Sequence, residues 1–372
     1  MIEKIKISNF KSIEELELDL GRINVLIGEN GCGKTNILEG IGFGALGVQM
    51  KLDNEFLYSR GIRSSEYNEA FFNTLQPAKF QFKESVYHSW SSSFVAISGK
   101  NLDIIPGVDY DDSLLETVPE LRENEKSDKT DHFKRNDGII NFFLKQAGNA
   151  GLQSFQMFTL EYSSLVSFSE AGQIVPVGIH GEGLFKELQK IIQNHPDKWK
   201  EIKEGLEALD WFENIEIPKD LFIAEKRIRL KDKYLGANPD VQFLDQRSAN
   251  EGFLFLLFYF TLFVSDDTPK FFAIDNIDQA LNPRLCIKLM QTLTEMAKKH
   301  DKQVIFTTHN PSILDGLDLK DDDQRLFVVY RNADGNTVAK RHVRKEGMPG
   351  VESARLSEAF IRGYLGGLPT HF

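Results

Sequence analysis

Residues 28–35 read Gly28-Glu29-Asn30-Gly31-Cys32-Gly33-Lys34-Thr35, and this stretch decides the fold of the chain. It matches the phosphate-loop pattern G-x-x-x-x-G-K-[ST] at every fixed position. The apolar residues 23–27 before it predict a buried strand, and residues 36–41 after it predict the start of a helix. A strand, a glycine-rich loop and a helix in this order predict a nucleoside triphosphate site rather than an ordinary glycine turn.

The residue types of this loop indicate how a nucleotide would be held. Glycines let successive backbone N–H groups point at phosphate oxygens, and the helix N-terminus adds positive potential. We expect Lys34 to reach the β- and γ-phosphates and the Thr35 hydroxyl to hold Mg²⁺. The other cofactor-binding residues predicted in this stretch are Asn30, Gly31, Cys32, Gly33 and Asn36.

Composition limits the class of protein. The 372 residues suffice for one large α/β domain or two ordinary ones, and 41% hydrophobic with 27% charged residues is typical of a globular protein. No apolar run reaches membrane-spanning length and the N-terminus lacks the apolar core of a secretion signal, so we expect a cytoplasmic protein without a membrane partner. The two cysteines, Cys32 and Cys286, fit neither a disulfide framework nor a zinc spacing.

The charge balance argues against a protein that coats nucleic acid. The net charge is −11, whereas neutralising phosphates needs clustered Lys and Arg. Basic runs at residues 226–231 and 340–345 leave a nucleic acid contact open, although a solvated strand face is the favoured interpretation of both.

Hydrophobic patterns divide the rest of the chain into predicted elements. Alternation over residues 2–27 predicts a meander of three short strands that leads into the phosphate loop, and residues 79–105 predict further strands. The other predicted features are a basic turn at 60–63, an exposed acidic insertion at 106–137, and helices near 139–147 and 184–194.

Two later segments complete the nucleotide site. Residues 270–274 predict an apolar strand that ends at Asp275, the expected aspartate for Mg²⁺ through its water shell. Residues 303–308 predict a second buried strand that brings His309 to the same sheet edge, where it would contact the γ-phosphate. Either signal alone is common; together with the phosphate loop they indicate one site.

These motifs together resemble ABC-type ATPase heads of the SMC, RecF and RecN kind. Residues 7–12 are similar to the "NF+S" opening of those heads, and residues 28–36 to their "GxNGxGKSN" loop. Residues 307–311 are similar to the "TTHSP" switch segment, in which His309 is the switch histidine. Residues 363–369 resemble the ending of short, armless AAA-family ATPases from bacterial anti-phage defence operons, relatives of the ATPase half of overcoming-lysogenization-defect nucleases.

The resemblance covers both ends of the chain well and residues 45–220 loosely. It implies an α/β P-loop NTPase: an ABC-type ATPase head with a mixed sheet core, an antiparallel β subdomain and a helical signature lobe. The implied parts are 1–110 with the phosphate loop, 111–268 as the inserted helical signature lobe, and 269–372 with the Mg²⁺ strand and the switch histidine.

The sequence departs from the family at the catalytic base. The family's Mg²⁺ aspartate is followed at once by a glutamate, whereas Asn276 follows Asp275 here. An amide can orient a water molecule but cannot accept its proton, so hydrolysis should be slow. Asp278 could substitute by geometry, and an exposed loop acid is an equally good interpretation of it; Asn282 takes the place of the dimer-contact aspartate.

The segment that would bind the γ-phosphate of a second copy also departs from the family. The best candidate is residues 247–252, which precede a very apolar predicted helix, but they fit "LSGGQ" poorly. Ser248 and Asn250 are both good N-cap residues, so two alignments remain open beside that of an ordinary capped core helix. The predicted binding residues of this segment are Ser248, Asn250, Glu251 and Gly252.

The resemblance implies ATP and Mg²⁺ as cofactors and a head-to-tail homodimer around ATP, with higher oligomers left open. Lys34, Thr35, Asp275 and His309 would come from one copy and the 248–252 segment from the other. The leading hypothesis is an ATP-gated regulatory ATPase of a defence system that acts on a separate effector, a nuclease or a toxin. The alternatives are a RecF-like ATPase that clamps nucleic acid and a non-hydrolysing ATP-bound scaffold.

Overall fold

We describe the protein from a computed structural model. It describes residues 1–49, 54–62, 78–84, 88–97, 101–107, 151–166, 176–217, 228–235, 243–343 and 355–367. Within these ranges, no helix is both long enough and apolar enough to cross a membrane.

The strands are short and fall into three sheets. The strands of the described residues are β1 Lys4–Phe10, β2 Ile13–Asp19, β3 Ile23–Ile27, β4 Ala78–Glu84, β5 His88–Ile97, β6 Asn101–Gly107, β7 Gln156–Phe158, β8 Phe212–Glu216, β9 Arg229–Asp232, β10 Leu244–Asp245, β11 Phe271–Ile274, β12 Gln303–Thr308, β13 Gln324–Arg331 and β14 Thr337–His342.

The helices flank these sheets. The α-helices of the described residues are α1 Lys34–Gln49, α2 Asn54–Ser59, α3 Tyr162–Val166, α4 Leu184–Asn194, α5 Pro196–Leu206, α6 Glu251–Val264, α7 Pro283–Lys299 and α8 Leu356–Ile361. Short 3₁₀ helices span Leu152–Ser154 and Pro311–Gly316.

The central sheet positions the site. Its strand order is β14-β13-β3-β12-β11-β7, and all neighbours are parallel except the antiparallel pair β13 and β14. Strands β3, β11 and β12 are buried along their whole length, as expected for parallel strands covered on both faces. Because parallel strands end at one edge, the phosphate loop after β3, Asp275 after β11 and His309 after β12 meet there.

The N-terminal strands belong to two sheets. Strands β1 and β2 pair antiparallel in the sheet β2-β1-β4-β5-β6, while β3 joins the central sheet between β12 and β13. The predicted three-strand meander is therefore wrong at its third strand. Residues 23–27 are buried on both faces, and the one polar side chain, Asn24, bonds to the Val304 carbonyl oxygen of β12, so a parallel sheet covered on both sides suits this strand better than the edge of a half-exposed antiparallel sheet.

A helical part packs on the face of the central sheet that lies opposite the antiparallel sheet. Its core is α6, in which every residue from 252 to 264 is buried, and α4, α5 and the small sheet β10-β9-β8 surround it. The mixed sheet core, the antiparallel β subdomain and the helical lobe confirm the predicted architecture.

The predictions for individual segments have different outcomes. The helix predicted at 184–194 is confirmed as α4, and the turn at 60–62 contains Gly61 with a φ of 78°. The described part of the first basic run is strand, and its Lys231 pairs with Glu213 at 2.6 Å. The acidic insertion from residue 108 onward and the helix near 139–147 lie outside the described residues, and the domain boundaries stay predictions.

Candidate nucleotide site

The phosphate loop is shaped for an anion. Gly31 and Gly33 have φ values of 76° and 107°, which residues with a Cβ rarely adopt. Within the described residues, the backbone N–H groups of Gly33, Lys34 and Thr35 have no hydrogen-bond partner. These groups open α1, so their donors and the helix dipole act together on a bound phosphate.

Lys34 is held inside the loop. Its side chain is buried, and Nζ donates to the carbonyl oxygens of Gly28 at 2.9 Å and Glu29 at 2.8 Å. Burial lowers the pKa of Lys34, and the neighbouring Cys32, Asp275 and Asp278 oppose that shift. The ammonium is therefore placed at the loop with weak neutral acceptors that phosphate oxygens can replace.

The residues predicted for Mg²⁺ meet across two strands. Thr35 Oγ1 donates to Asp275 Oδ2 at 3.3 Å, and the other carboxylate oxygen accepts from the Thr307 hydroxyl. Among the described residues, no group of three His, Cys, Asp or Glu side chains could hold a metal by itself. A hydroxyl and one carboxylate fit Mg²⁺, which keeps water ligands and takes others from phosphates.

The loop after β11 brings a second carboxylate to this edge. Asn276 has a φ of 56°, and its N–H donates to Thr307 Oγ1 at 2.9 Å. Asp278 accepts from the Thr308 hydroxyl at 2.6 Å, which fixes its orientation. Asp278 is near enough to Lys34 and His309 for its charge to act on the pKa of both in the upward direction.

His309 lies over the lysine. Its Nδ1 is 3.4 Å from Lys34 Nζ, and because an ammonium can only donate, Nδ1 is the acceptor. Partial burial, and then the Lys34 charge, lower the pKa of His309, which keeps the ring neutral near pH 7. A neutral ring with Nε2 protonated can donate a hydrogen bond to a phosphate oxygen.

The candidate signature segment is an Asn-capped helix start. The Asn250 side chain accepts from the Phe253 N–H at 2.8 Å, whereas the Ser248 hydroxyl donates to Asp245 at 3.2 Å. A Cβ on Gly252 would lie 2.9 Å from the Ala280 carbonyl oxygen, so this helix end packs against the loop after β11. Asn250 is thus the N-cap, and Ser248 lies in the preceding turn.

A cavity opens beside this helix start. It has a volume of about 750 Å³, and its lining includes Asn250, Glu251 and Gly252, residues 207–211, Asn282 and the first turns of α7. Among the described residues, no hydrogen bond or ion pair joins residues 248–252 to the phosphate loop of the same chain. Within one chain this segment therefore contacts the loop after β11 without bonding to the phosphate loop.

Several side chains at the site have contacts that the sequence did not predict. The Asn36 amide, expected at the nucleotide, donates to Ser12 Oγ at 2.7 Å, and Asn30 is exposed at the tip of the loop. The residues that sequence analysis missed are Thr307, Thr308, Arg331 and Thr337, whose hydroxyl or guanidinium groups bond to site residues. Only the two threonines before His309 lay in a motif that could have indicated them.

Comparison with known proteins identifies the family of this chain. The sequence profile of the family described as "AAA domain, putative AbiEii toxin, Type IV TA system" matches residues 23–315, and that of an "AAA ATPase domain" family matches residues 1–43. A segment of 61 residues is 39% identical to the DNA double-strand break repair Rad50 ATPase of Saccharolobus solfataricus. That match covers 16% of this chain and only 7% of the Rad50 protein.

Solved structures show the same fold. The SMC head bound to the C-winged helix domain of ScpA matches with a TM-score of 0.58 and 13% identity, over 92% of this chain and 98% of that one. The Smc head of Pyrococcus furiosus bound to the C-terminal domain of ScpA matches with a TM-score of 0.52 and 14% identity, over 92% and 96% of the chains. The predicted fold of an SMC-type ABC ATPase head is confirmed.

Proposed function

Because this chain belongs to the AbiEii-type AAA domain family, we propose that it binds ATP with Mg²⁺, dimerises around the nucleotide and hydrolyses it slowly. The observation that carries this proposal is the meeting of Lys34, Thr35, Asp275 and His309 at one sheet edge. Unpartnered N–H groups, a lysine and a hydroxyl–carboxylate pair are the parts that an ATP–Mg²⁺ complex needs. Bound Mg²⁺ would supply charge stabilisation to the phosphates, held by Thr35 and Asp275.

Asp278 is our candidate for the general base. It is a carboxylate in the loop that follows Asp275, oriented by the Thr308 hydroxyl, and its charge acts on Lys34 and His309. Asn276 can orient the attacking water through its amide, and Asp278 would then accept the proton. Two residues share the work that a single glutamate does in the family, so turnover is expected to be slow.

The proposed dimerisation is supported by the lack of a bond between the two half-sites of one chain. The start of α6, with Asn250, Glu251 and Gly252, lines the cavity, and among the described residues it has no hydrogen bond or ion pair to the phosphate loop of its own chain. In a head-to-tail dimer it would present the N-terminus of a long helix to the γ-phosphate held by the other copy. Ser248, tied to Asp245, would supply a hydroxyl at the rim.

We further propose that the ATP state is passed to a separate effector in a defence or toxin–antitoxin system, which the family description favours. The helix α8 is tied to the segment after His309, because Asp315 accepts from both the Ser357 N–H at 2.9 Å and its hydroxyl at 2.6 Å. Ile361 and Tyr364, at the end of α8, are exposed. A partner bound there would be connected to the switch histidine.

Two alternative functions remain, and a specific observation bears on each. Asn276 favours a scaffold that binds ATP without hydrolysing it. Nucleic acid clamping is less favoured, since the described basic residues are partly neutralised: Lys231 pairs with Glu213, and Arg341 lies 3.7 Å from Asp322. The division into parts at 110 and 268 and the cytoplasmic location stay predictions.

The proposal is tested by measuring ATP affinity and steady-state phosphate release with Mg²⁺. We expect the wild type to bind ATP and to turn over well below the typical value of about 10 per second. Lys34→Ala should lose ATP binding, because the substitution removes the buried ammonium group of the phosphate loop. Asp278→Asn should keep ATP affinity and lose about 100-fold or more in turnover.

The exposed Asp334→Asn, at a hairpin tip, is the matched control for removal of a carboxylate. Equal ATP binding by wild type and Lys34→Ala would refute the site. ATP binding without any wild-type turnover would favour the scaffold.

A further inference from the structure

The hairpin of β13 and β14 touches the phosphate loop although the two are about 300 residues apart. Arg331 Nε donates to the Gly31 carbonyl oxygen at 3.2 Å, and its Nη1 donates to the Gly335 carbonyl oxygen at 2.7 Å. The hydroxyl of Thr337 donates to the Cys32 carbonyl oxygen at 3.0 Å. Two successive carbonyl groups of the loop are therefore bonded to one hairpin.

Thr337 is also the end of a directed chain of hydrogen bonds. Its hydroxyl must donate to Cys32, because a carbonyl oxygen can only accept, and a hydroxyl has a single proton. Ser12 Oγ, 2.7 Å from Thr337 Oγ1, must then donate to it, and Ser12 in turn accepts from the Asn36 amide at 2.7 Å. The Thr337 N–H donates to the Ser12 carbonyl oxygen at 2.7 Å, so the threonine is fixed on both sides.

These contacts determine where the loop's N–H groups point. In a trans peptide the C=O and the next N–H point in opposite directions. Holding the Cys32 carbonyl toward Thr337 therefore turns the Gly33 N–H away from the hairpin, and this N–H has no partner among the described residues. Holding the Gly31 carbonyl toward Arg331 likewise turns the Cys32 N–H away from the hairpin, and this N–H donates to the Glu29 carbonyl oxygen at 3.4 Å.

The packing leaves little room for another loop conformation. A Cβ on Gly33 would lie 2.0 Å from Thr337 Oγ1, and the Thr337 side chain is buried. Arg331 is exposed at the rim, so it contributes hydrogen bonds but little core packing. The two residues thus hold the loop in different ways: Thr337 by a buried contact, and Arg331 by hydrogen bonds from an exposed position.

We propose that Thr337 and Arg331 are positioning residues that keep the phosphate loop in its anion-binding conformation before the nucleotide arrives. This inference rests on the proposed ATP function. A loop that already points its N–H groups inward loses less conformational freedom on binding, and this is reflected in affinity. Neither residue needs to touch the nucleotide for this effect.

The test is an equilibrium titration of each variant with ATP and Mg²⁺, with thermal unfolding measured in parallel. Thr337→Val has nearly the same shape but no donor, so we expect affinity to fall about tenfold, the usual effect of one lost hydrogen bond. Thr337→Ser keeps the hydroxyl and should stay within about twofold of the wild type. A purely structural role for Thr337 would not separate these two variants in affinity.

Two controls match the chemical changes. Thr294→Val removes another buried hydroxyl, which donates to the Met290 carbonyl oxygen at 2.7 Å within α7, and should lower the melting temperature without changing ATP affinity. Arg331→Met is paired with Lys340→Met, which removes a positive charge from the same hairpin at an exposed position. Only Arg331→Met should weaken ATP binding, by about fivefold.

The outcomes separate the two levels of the proposal. Absence of ATP binding by the wild type refutes the proposed function itself. Wild-type binding that Thr337→Val and Arg331→Met leave unchanged overturns the positioning role alone, and so does an equal loss in Thr294→Val or Lys340→Met. If Thr337→Val does not fold, the exposed Arg331→Met decides.

Discussion

At the scale of single residues, Asn276 combines an unusual backbone with the position at which a catalytic glutamate was expected. Its φ of 56° lies in the left-handed region, which Asn enters more readily than most residues with a side chain. Its N–H is held by Thr307, and its neighbour Asp275 is bonded to Thr35. The backbone of this position is therefore fixed by the Mg²⁺ side of the site, and its side chain can vary.

Restoring a glutamate at this position should raise turnover. We expect Asn276→Glu to increase phosphate release at least about tenfold, because a carboxylate can accept the proton of the attacking water. The change should also lower the free energy of unfolding by about 1 kcal/mol, since Glu is less favoured at positive φ. Phosphate release and denaturant unfolding measure the two effects.

The matched control is Asn276→Gln, which has the length of Glu and the same backbone strain but no basicity. It should lose stability to the same extent without any gain in turnover. Equal turnover in both variants would mean that the side chain at 276 does not face the attacking water.

At the scale of elements, α6 is both the core of the helical part and the start of the candidate signature helix. It is buried from Gly252 to Val264, and its first residues belong to the candidate signature segment. Asn250 satisfies the Phe253 N–H at that end, while the exposed Ser248, among the described residues, bonds to Asp245 of its local turn. The structure assigns a stability role to Asn250 and leaves Ser248 available for a second copy.

This difference gives a prediction for the two alignments of the segment. Asn250→Ala should lower the free energy of unfolding by about 1 kcal/mol, the usual effect of removing an N-cap, whereas Ser248→Ala should change it by less than about 0.5 kcal/mol. Chemical denaturation checks both values. A larger loss of stability in Ser248→Ala than in Asn250→Ala would show that Asn250 does not cap α6 in solution.

The elements nearest the phosphate loop could be predicted because they are local. The apolar run before Gly28 and the Lys34–Thr35 helix start belong to one contiguous stretch, and Asp275 and His309 each end a buried strand. The sheet to which β3 belongs could not be predicted, because its partners β12 and β13 lie far along the chain. A hydrophobic pattern reports burial but not which strand is adjacent.

The supports of the loop were missed for the same reason. Thr337 and Arg331 are ordinary residues of a distant hairpin, and only the folded chain brings them to Cys32 and Gly31. The Asn36 amide was assigned to the nucleotide from its motif, whereas its bond to Ser12 depends on the turn between β1 and β2.

At the scale of the whole molecule, the proposed function needs a second copy. One chain carries the residues proposed for the phosphates and Mg²⁺, Lys34 and Asp275, and a helix start at Asn250 that is proposed to act on the other copy. The net charge of −11 makes two like-charged heads repel, so their association needs a specific contribution. ATP shared between the half-sites would supply it.

The most direct test of this account is the mass of the protein in solution by sedimentation velocity, with Mg²⁺ and with or without ATP. We predict a chain of 42.4 kDa without nucleotide and a species of about twice that mass with ATP. Lys34→Ala should stay at the single-chain mass under both conditions. A wild type that binds ATP to saturation and keeps the single-chain mass would contradict the claim that ATP joins two copies.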